Sequence, residues 1–102
     1  MITHIVLFKL KDPTPEKMEE TRKVLERLRD RVPVLRSLEV GVDVLRKERS
    51  FDVALTAIFD SLDDLEAYQV HPEHRSVVDY INEVSASRAA VDYESSPPLS
   101  RP

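Results

Sequence analysis

The chain has no cysteine, one glycine and only three histidines in 102 residues. The missing cysteine excludes disulfides and thiol catalysis, and makes a cytoplasmic location the expectation. With Gly41 alone there is no glycine-rich loop, so phosphate cradles and dinucleotide fingerprints are excluded. No apolar run is long enough to span a bilayer, and residues 1–4 pass straight into an apolar segment with no basic leader, so no membrane partner is expected. Basic charge is short as well. The net charge is −4 with histidine neutral, which argues against a nucleic-acid partner. The one local cluster, Arg27, Arg29, Arg31 and Arg36, is interleaved with Glu26 and Asp30 in the manner of a solvated helix face.

What is present suits one small folded domain. Hydrophobic residues make up 41% of the chain and charged residues 33%, a balance that disordered chains lack. Residues 3–11 alternate, with His4, Val6, Phe8 and Leu10 on one face and Ile5 and Leu7 on the other, which predicts a strand. Thr14 followed by Pro15 predicts a helix N-cap with proline in the first turn. Met18, Thr21, Leu25, Leu28 and Val32 mark the helix's buried stripe, its charge runs from acidic to basic along the dipole, and Pro33 ends it. Leu38, Val40, Val42 and Val44 predict a second strand, with Gly41 as a candidate bulge or point of close backbone approach. Residues 46–50 read as a charged loop. Residues 52–59 form a third strand, Val53, Leu55, Ala57 and Phe59 opposing Ala54, Thr56 and Ile58. Ser61 and Asp64 resemble a capping box that opens a helix bearing Leu62, Leu65 and Tyr68 or Gln69 on one face. A last strand is predicted over residues 87–94, with Ala89, Val91 and Tyr93 on one side. Residues 95–102 carry three of the seven prolines and are expected to form a loose tail.

The order is βαββαβ, with the second helical region broken at Pro72. Two right-handed crossovers then give an α+β ferredoxin-like plait over residues 1–94, a four-stranded antiparallel sheet with helices on one face. Strands 1 and 3 are apolar on both faces, yet the helices cover only one. A second copy is the economical cover for the other, so a homodimer with two sheets packed face to face is expected.

The segment Tyr68-Gln69-Val70-His71-Pro72-Glu73-His74 gathers two of the three histidines and a tyrosine around one proline. Proline suits the first turn of a helix. His74 then has Val77, Val78 and Ile81 at i+3, i+4 and i+7, which places its imidazole on the apolar stripe. An ionisable ring aimed at a core needs a reason, and a lined pocket is one. There His74 would act as a base toward a proton next to a carbonyl, with the Tyr68 hydroxyl as donor to the resulting enolate. Partial burial would lower the imidazole's pKa and keep it neutral. A structural reading competes, in which His74 caps its helix or bonds into the core and Tyr68 packs as an ordinary aromatic. The residues alone leave both open. His4 points toward the same cavity if its strand face lies under the helices, and is otherwise a satisfied core histidine. His71, just before Pro72, is placed for capping. His71 and His74 alone do not make a metal site, and no catalytic metal is expected.

Several stretches taken together carry a family likeness: His4-Ile5-Val6-Leu7-Phe8-Lys9-Leu10-Lys11, Gly41, Phe51-Asp52, Phe59-Asp60-Ser61-Leu62 leading into Ala67-Tyr68-Gln69-Val70-His71-Pro72-Glu73-His74, and Val91-Asp92-Tyr93. Over roughly residues 2–94 the chain resembles the stress-responsive A/B barrel (Dabb) family of dimeric α/β barrels. The resemblance implies the plait and the homodimer. The family includes a plant polyketide cyclase that closes a linear tetraketide by an intramolecular aldol reaction without metal or organic cofactor. By resemblance, its catalytic histidine falls on His74, its catalytic tyrosine on Tyr68, and two further polar pocket residues on His4 and His71. The chain departs from it at Val53, where that cyclase has another histidine. The resemblance also implies a structural magnesium held by backbone carbonyls at about Arg29, Val32 and Leu35. The expectation is therefore a homodimer that binds a small hydrophobic, aromatic or polyketide-like ligand and performs cofactor-free cyclisation or isomerisation. The alternatives are a non-catalytic stress-related binding protein and a cofactor-free monooxygenase.

Overall fold

The strand that is apolar on both faces, β1 (Ile2–Leu10), lies inside the sheet, between β3 (Val53–Phe59) and β4 (Ser85–Glu94), with β2 (Ser37–Val42) at the far edge. The computed structural model describes residues 1–96. The tail expected over residues 95–102 lies, from Pro97 onward, outside the described residues. All pairings are antiparallel in the order β2-β3-β1-β4. Helix α1 (Pro15–Glu26) links β1 to β2, while α2 (Leu62–Val70) and α3 (Pro72–Val84) link β3 to β4. This is the predicted α+β ferredoxin-like plait. Among the described residues, no helix is long and apolar enough to cross a membrane.

The helix starts follow local chemistry. Thr14 Oγ1 accepts the Lys17 N–H at 3.1 Å ahead of Pro15, and Ser61 Oγ accepts the Asp64 N–H at 3.2 Å. Helix α1 tightens into a 3₁₀ turn over Arg27–Asp30, and Met18, Thr21, Leu25, Leu28 and Val32 are all buried along this run as their spacing predicts. They pack on the inner sheet face, where Ile2, Phe8 and Leu10 of β1 meet Val53, Leu55, Ala57 and Phe59 of β3.

The structure departs from the sequence pattern at three places. Strand β2 stops at Val42, and Val44 is 92% exposed. There the Asp43 N–H donates to the Asp52 carbonyl at 2.9 Å, closing a loop that turns Val44 outward. Arg46 is held in that loop at φ 53°. Its N–H donates to Asp43 Oδ2 at 2.7 Å and its Nη2 to Asp52 Oδ1 at 2.8 Å. Gly41 makes neither a bulge nor a close approach. It pairs in register with Ala54, and a Cβ added there would meet nothing within 4 Å. The register shift falls instead between Lys9 and Leu10 in the pairing with β4. Strand β4 begins at Ser85, two residues earlier than expected, straight from the end of α3.

The outer sheet face stays apolar and uncovered. Ile5 and Leu7 of β1 and Ile58 of β3 are only half-buried there, and Val91 and Tyr93 of β4 are exposed. On β4 the polarity runs opposite to the usual pattern. Arg88, Ala90 and Asp92, partners of Phe8, Val6 and His4, face the helices, while Ala89, Val91 and Tyr93 face away.

Candidate functional site

Three rings from three elements converge between sheet and helices. His4 comes from the inner face of β1, Tyr68 from α2 and His74 from the first turn of α3. Tyr68 is 1% exposed. Its ring centroid lies 4.5 Å from His74, 5.0 Å from Phe59 and 6.1 Å from His4. Phe59 belongs to the buried core, while the two histidines flank a cavity of about 210 Å³. Leu25, Leu28, Leu55, Val77 and Ile81 supply apolar wall, and Gln69 and Arg88 also reach it.

The hydrogen bonds settle the tautomer of His74. Its Nδ1 lies 3.1 Å from the Gln69 carbonyl oxygen, which can only accept, so Nδ1 carries a proton and the neutral ring has its lone pair on Nε2. Burial holds the His74 pKa below the ordinary 6.5, helped by the nearby His4 and His71, and the Gln69 carbonyl opposes this. The shift favours the neutral, basic ring. No group among the described residues hydrogen-bonds the Tyr68 hydroxyl, and burial pushes its phenol above the ordinary 10.0. It remains a donor at any working pH.

His4 faces the helices and lines the cavity, as its strand alternation allowed. Its Nδ1–H donates to the Asp92 carboxylate on β4, its direct cross-strand partner. Asp92 thereby orients the imidazole, a role the sequence reading did not assign. The signal was the alternation of β4, but alternation alone does not say which side lies under the helices. Arg88 escaped notice for the same kind of reason, while Gln69 was already an alternative to Tyr68 on the helix's apolar face and also reaches the cavity.

His71 follows the capping reading of its sequence position and not the pocket role that the resemblance implies. Its ring does not line the cavity; Nδ1 accepts the Glu73 N–H at 3.1 Å and caps α3. The proline that follows forces an extended backbone at His71 (ψ 139°), which turns its ring onto the helix terminus. Val53, where the resemblance fails, pairs with Phe8 in the core and does not line the cavity either. Among the described residues no group of three or more histidine, aspartate or glutamate side chains is placed to hold a metal ion. At the positions matched to magnesium, the Val32 carbonyl already accepts the Leu35 N–H at 3.1 Å. That bond takes part of the donor capacity a cation would need, and the magnesium expectation rests on the resemblance alone.

The whole domain has known counterparts. A family model described as the stress responsive A/B barrel domain matches residues 2–95. A dimeric protein of unknown function with a ferredoxin-like fold from Bacteroides fragilis is 39% identical, with a TM-score of 0.78 over 91% of this chain and 94% of that one. A dimeric ferredoxin-like protein of unknown function from Thermobifida fusca is 34% identical, with a TM-score of 0.79 over 90% of this chain and 88% of that one. A hydroxynitrile lyase from Passiflora edulis shares the fold, with a TM-score of 0.80 at 15% identity over 97% of this chain and 96% of that one. No curated protein matches the chain.

Proposed function

The chain belongs to the stress-responsive A/B barrel family, and from that premise we propose a cytoplasmic homodimer whose cavities each bind a small, partly aromatic molecule and catalyse cofactor-free proton transfer beside a carbonyl. The observation that carries this reading is the Tyr68–His74 ring pair at 4.5 Å, on the wall of an apolar cavity. Both rings keep a reactive atom, the Tyr68 hydroxyl and the His74 Nε2, without a protein partner among the described residues. A cavity of about 150 Å³ holds benzene, so the 210 Å³ here suits one substituted ring.

In this mechanism His74 Nε2 takes a proton from the carbon next to the ligand's carbonyl. The Tyr68 hydroxyl donates to that carbonyl's oxygen, where the electrons of the broken C–H bond collect as an enolate. The Gln69 carbonyl holds the Nδ1–H throughout and stabilises the imidazolium. Two outcomes balance without an oxidant. In a ligand whose enolate is conjugated with a C=C bond the proton returns to the far carbon of that system, an isomerisation; otherwise the enolate carbon bonds a second carbonyl carbon and the proton goes to the new alkoxide, a cyclisation. His4, oriented by Asp92, lines the same cavity as a further polar group.

Deuterium exchange into 4-phenylbutan-2-one in D₂O tests the base directly. The protein should speed exchange next to the carbonyl, and His74→Ala should remove an acceleration on the order of 10²–10⁴. An equal rate in His74→Ala would overturn the assignment. A ketone that binds and shifts the His74 resonances, yet exchanges at the buffer rate, would point to the non-catalytic binding protein. The homodimer rests on the uncovered apolar face around Ile5, Ile58, Val91 and Tyr93. Sedimentation velocity should show a dimer that Val91→Glu dissociates, and a wild-type monomer at micromolar concentration would refute it.

A further inference from the structure

We propose that the ligand of this cavity is an anion, a ring-bearing carboxylate or a compound ionised in the same way, and that Arg88 receives its charge. This rests on the reading above that the cavity binds a small molecule. The chain carries 19 acidic against 15 basic residues, and five of its ten arginines, Arg22, Arg29, Arg31, Arg36 and Arg46, sit in ion pairs among the described residues. Arg88 does not. Among the described residues its hydrogen-bond partner is the neutral side-chain oxygen of Asn82.

Arg27, Arg49 and Arg75 also lack an ion pair among the described residues, and what sets the exposed Arg88 apart is its position. Arg88 stands on the helix-facing side of β4, opposite Phe8, and its side chain lines the same cavity as Tyr68 and His74. It is the one permanently charged residue of that lining, which contains no aspartate or glutamate. Asp92 lies on the same side of β4, four residues and so ~13 Å along the strand. Its carboxylate is engaged by His4. The cavity thus has a cationic end with no counter-charge and a proton-transfer end with a free hydroxyl and a free imidazole nitrogen.

Arg88 is exposed, so its guanidinium meets an anionic ligand that enters the cavity from solvent. A carboxylate would take two parallel N–H bonds from the fork, a geometry that a point charge such as lysine does not reproduce. The bond to Asn82 fixes one arm of the fork and directs the rest. The expected ligand therefore carries an ionised group and a reacting carbonyl at opposite ends of one ring-sized apolar body.

The test compares 3-phenylpropanoate with 3-phenylpropanamide, which match in shape and differ in charge, by calorimetry and by NMR of the full chain. Wild type should bind the acid at least ~tenfold more tightly than the amide. Arg88→Gln should bind both about equally, at the wild-type amide affinity, and Arg88→Lys should keep part of the preference. Equal affinities in wild type, or a preference that survives in Arg88→Gln, would overturn the role of Arg88 and leave the cavity reading intact. The wild-type preference decides the matter even where a variant fails to fold. If neither compound binds or moves the His74 resonances, both readings fall.

Discussion

Two polar clusters sit toward opposite ends of β1, and they are finished differently. Near Leu10, Asp52 is 2% exposed and both of its carboxylate oxygens are engaged. Oδ2 accepts the Leu10 N–H at 2.7 Å, and Oδ1 accepts Arg46 Nη2 at 2.8 Å. Near His4, Tyr68 is as deeply buried, yet its hydroxyl has no partner among the described residues, the half-buried His74 keeps a bare Nε2 and the exposed Arg88 keeps no acid. A buried polar group that the protein satisfies itself holds the fold. One that opens on the cavity without a protein partner is available to a ligand. The contrast marks the second cluster as the candidate site.

The contrast can be broken most visibly at Asp52. Asp52→Ala leaves the Leu10 N–H unsatisfied and removes a counter-charge from Arg46, and should cost ~2–3 kcal/mol in urea unfolding, with ligand affinity per folded molecule unchanged. A loss below ~0.5 kcal/mol would make the Asp52 cluster dispensable and the contrast empty. His71 tests the same division at a smaller scale, three residues from His74. His71→Ala should cost ~1 kcal/mol through the lost cap, with His71→Asn restoring it and neither altering ligand binding. Altered binding would return His71 to the site. Tyr68→Phe should move stability least, within ~0.5 kcal/mol, because no protein hydrogen bond is lost, while abolishing the acceleration of exchange. A cost well above ~1 kcal/mol would reveal a structural partner for the hydroxyl.

Much of the scaffold was legible because it depends on short-range pattern. Alternation in β1 and β3, the Thr14 and Ser61 caps and the break at Pro72 are local, and the structure keeps them. Val44 was misread because it prolongs an alternation that the bond from Asp43 to Asp52 interrupts, and that bond joins positions nine residues apart. The site was legible by half. His74 and Tyr68 declare themselves through helical spacing, and His4 through strand alternation. Asp92 does not, because its value comes from a β1–β4 register linking positions 88 residues apart. Arg88 shares that strand, and its helix-facing side is polar where a half-buried strand would ordinarily turn its apolar side inward. An apolar outer face is what made the inner one hard to recognise.

The central claim is that His74 is a neutral base in an open cavity, and an NMR titration of its imidazole tests it most directly. Burial depresses its folded pKa, so the unfolded chain takes up more protons as pH falls through the ordinary 6.5. The group's contribution to stability is therefore fully present above that value and is lost as pH falls through the folded pKa. The account predicts an Nδ1-protonated ring that titrates below 6.5, with His74 resonances that move when 3-phenylpropanoate is added. A ring that titrates at or above 6.5, or that ignores the ligand throughout, would contradict it.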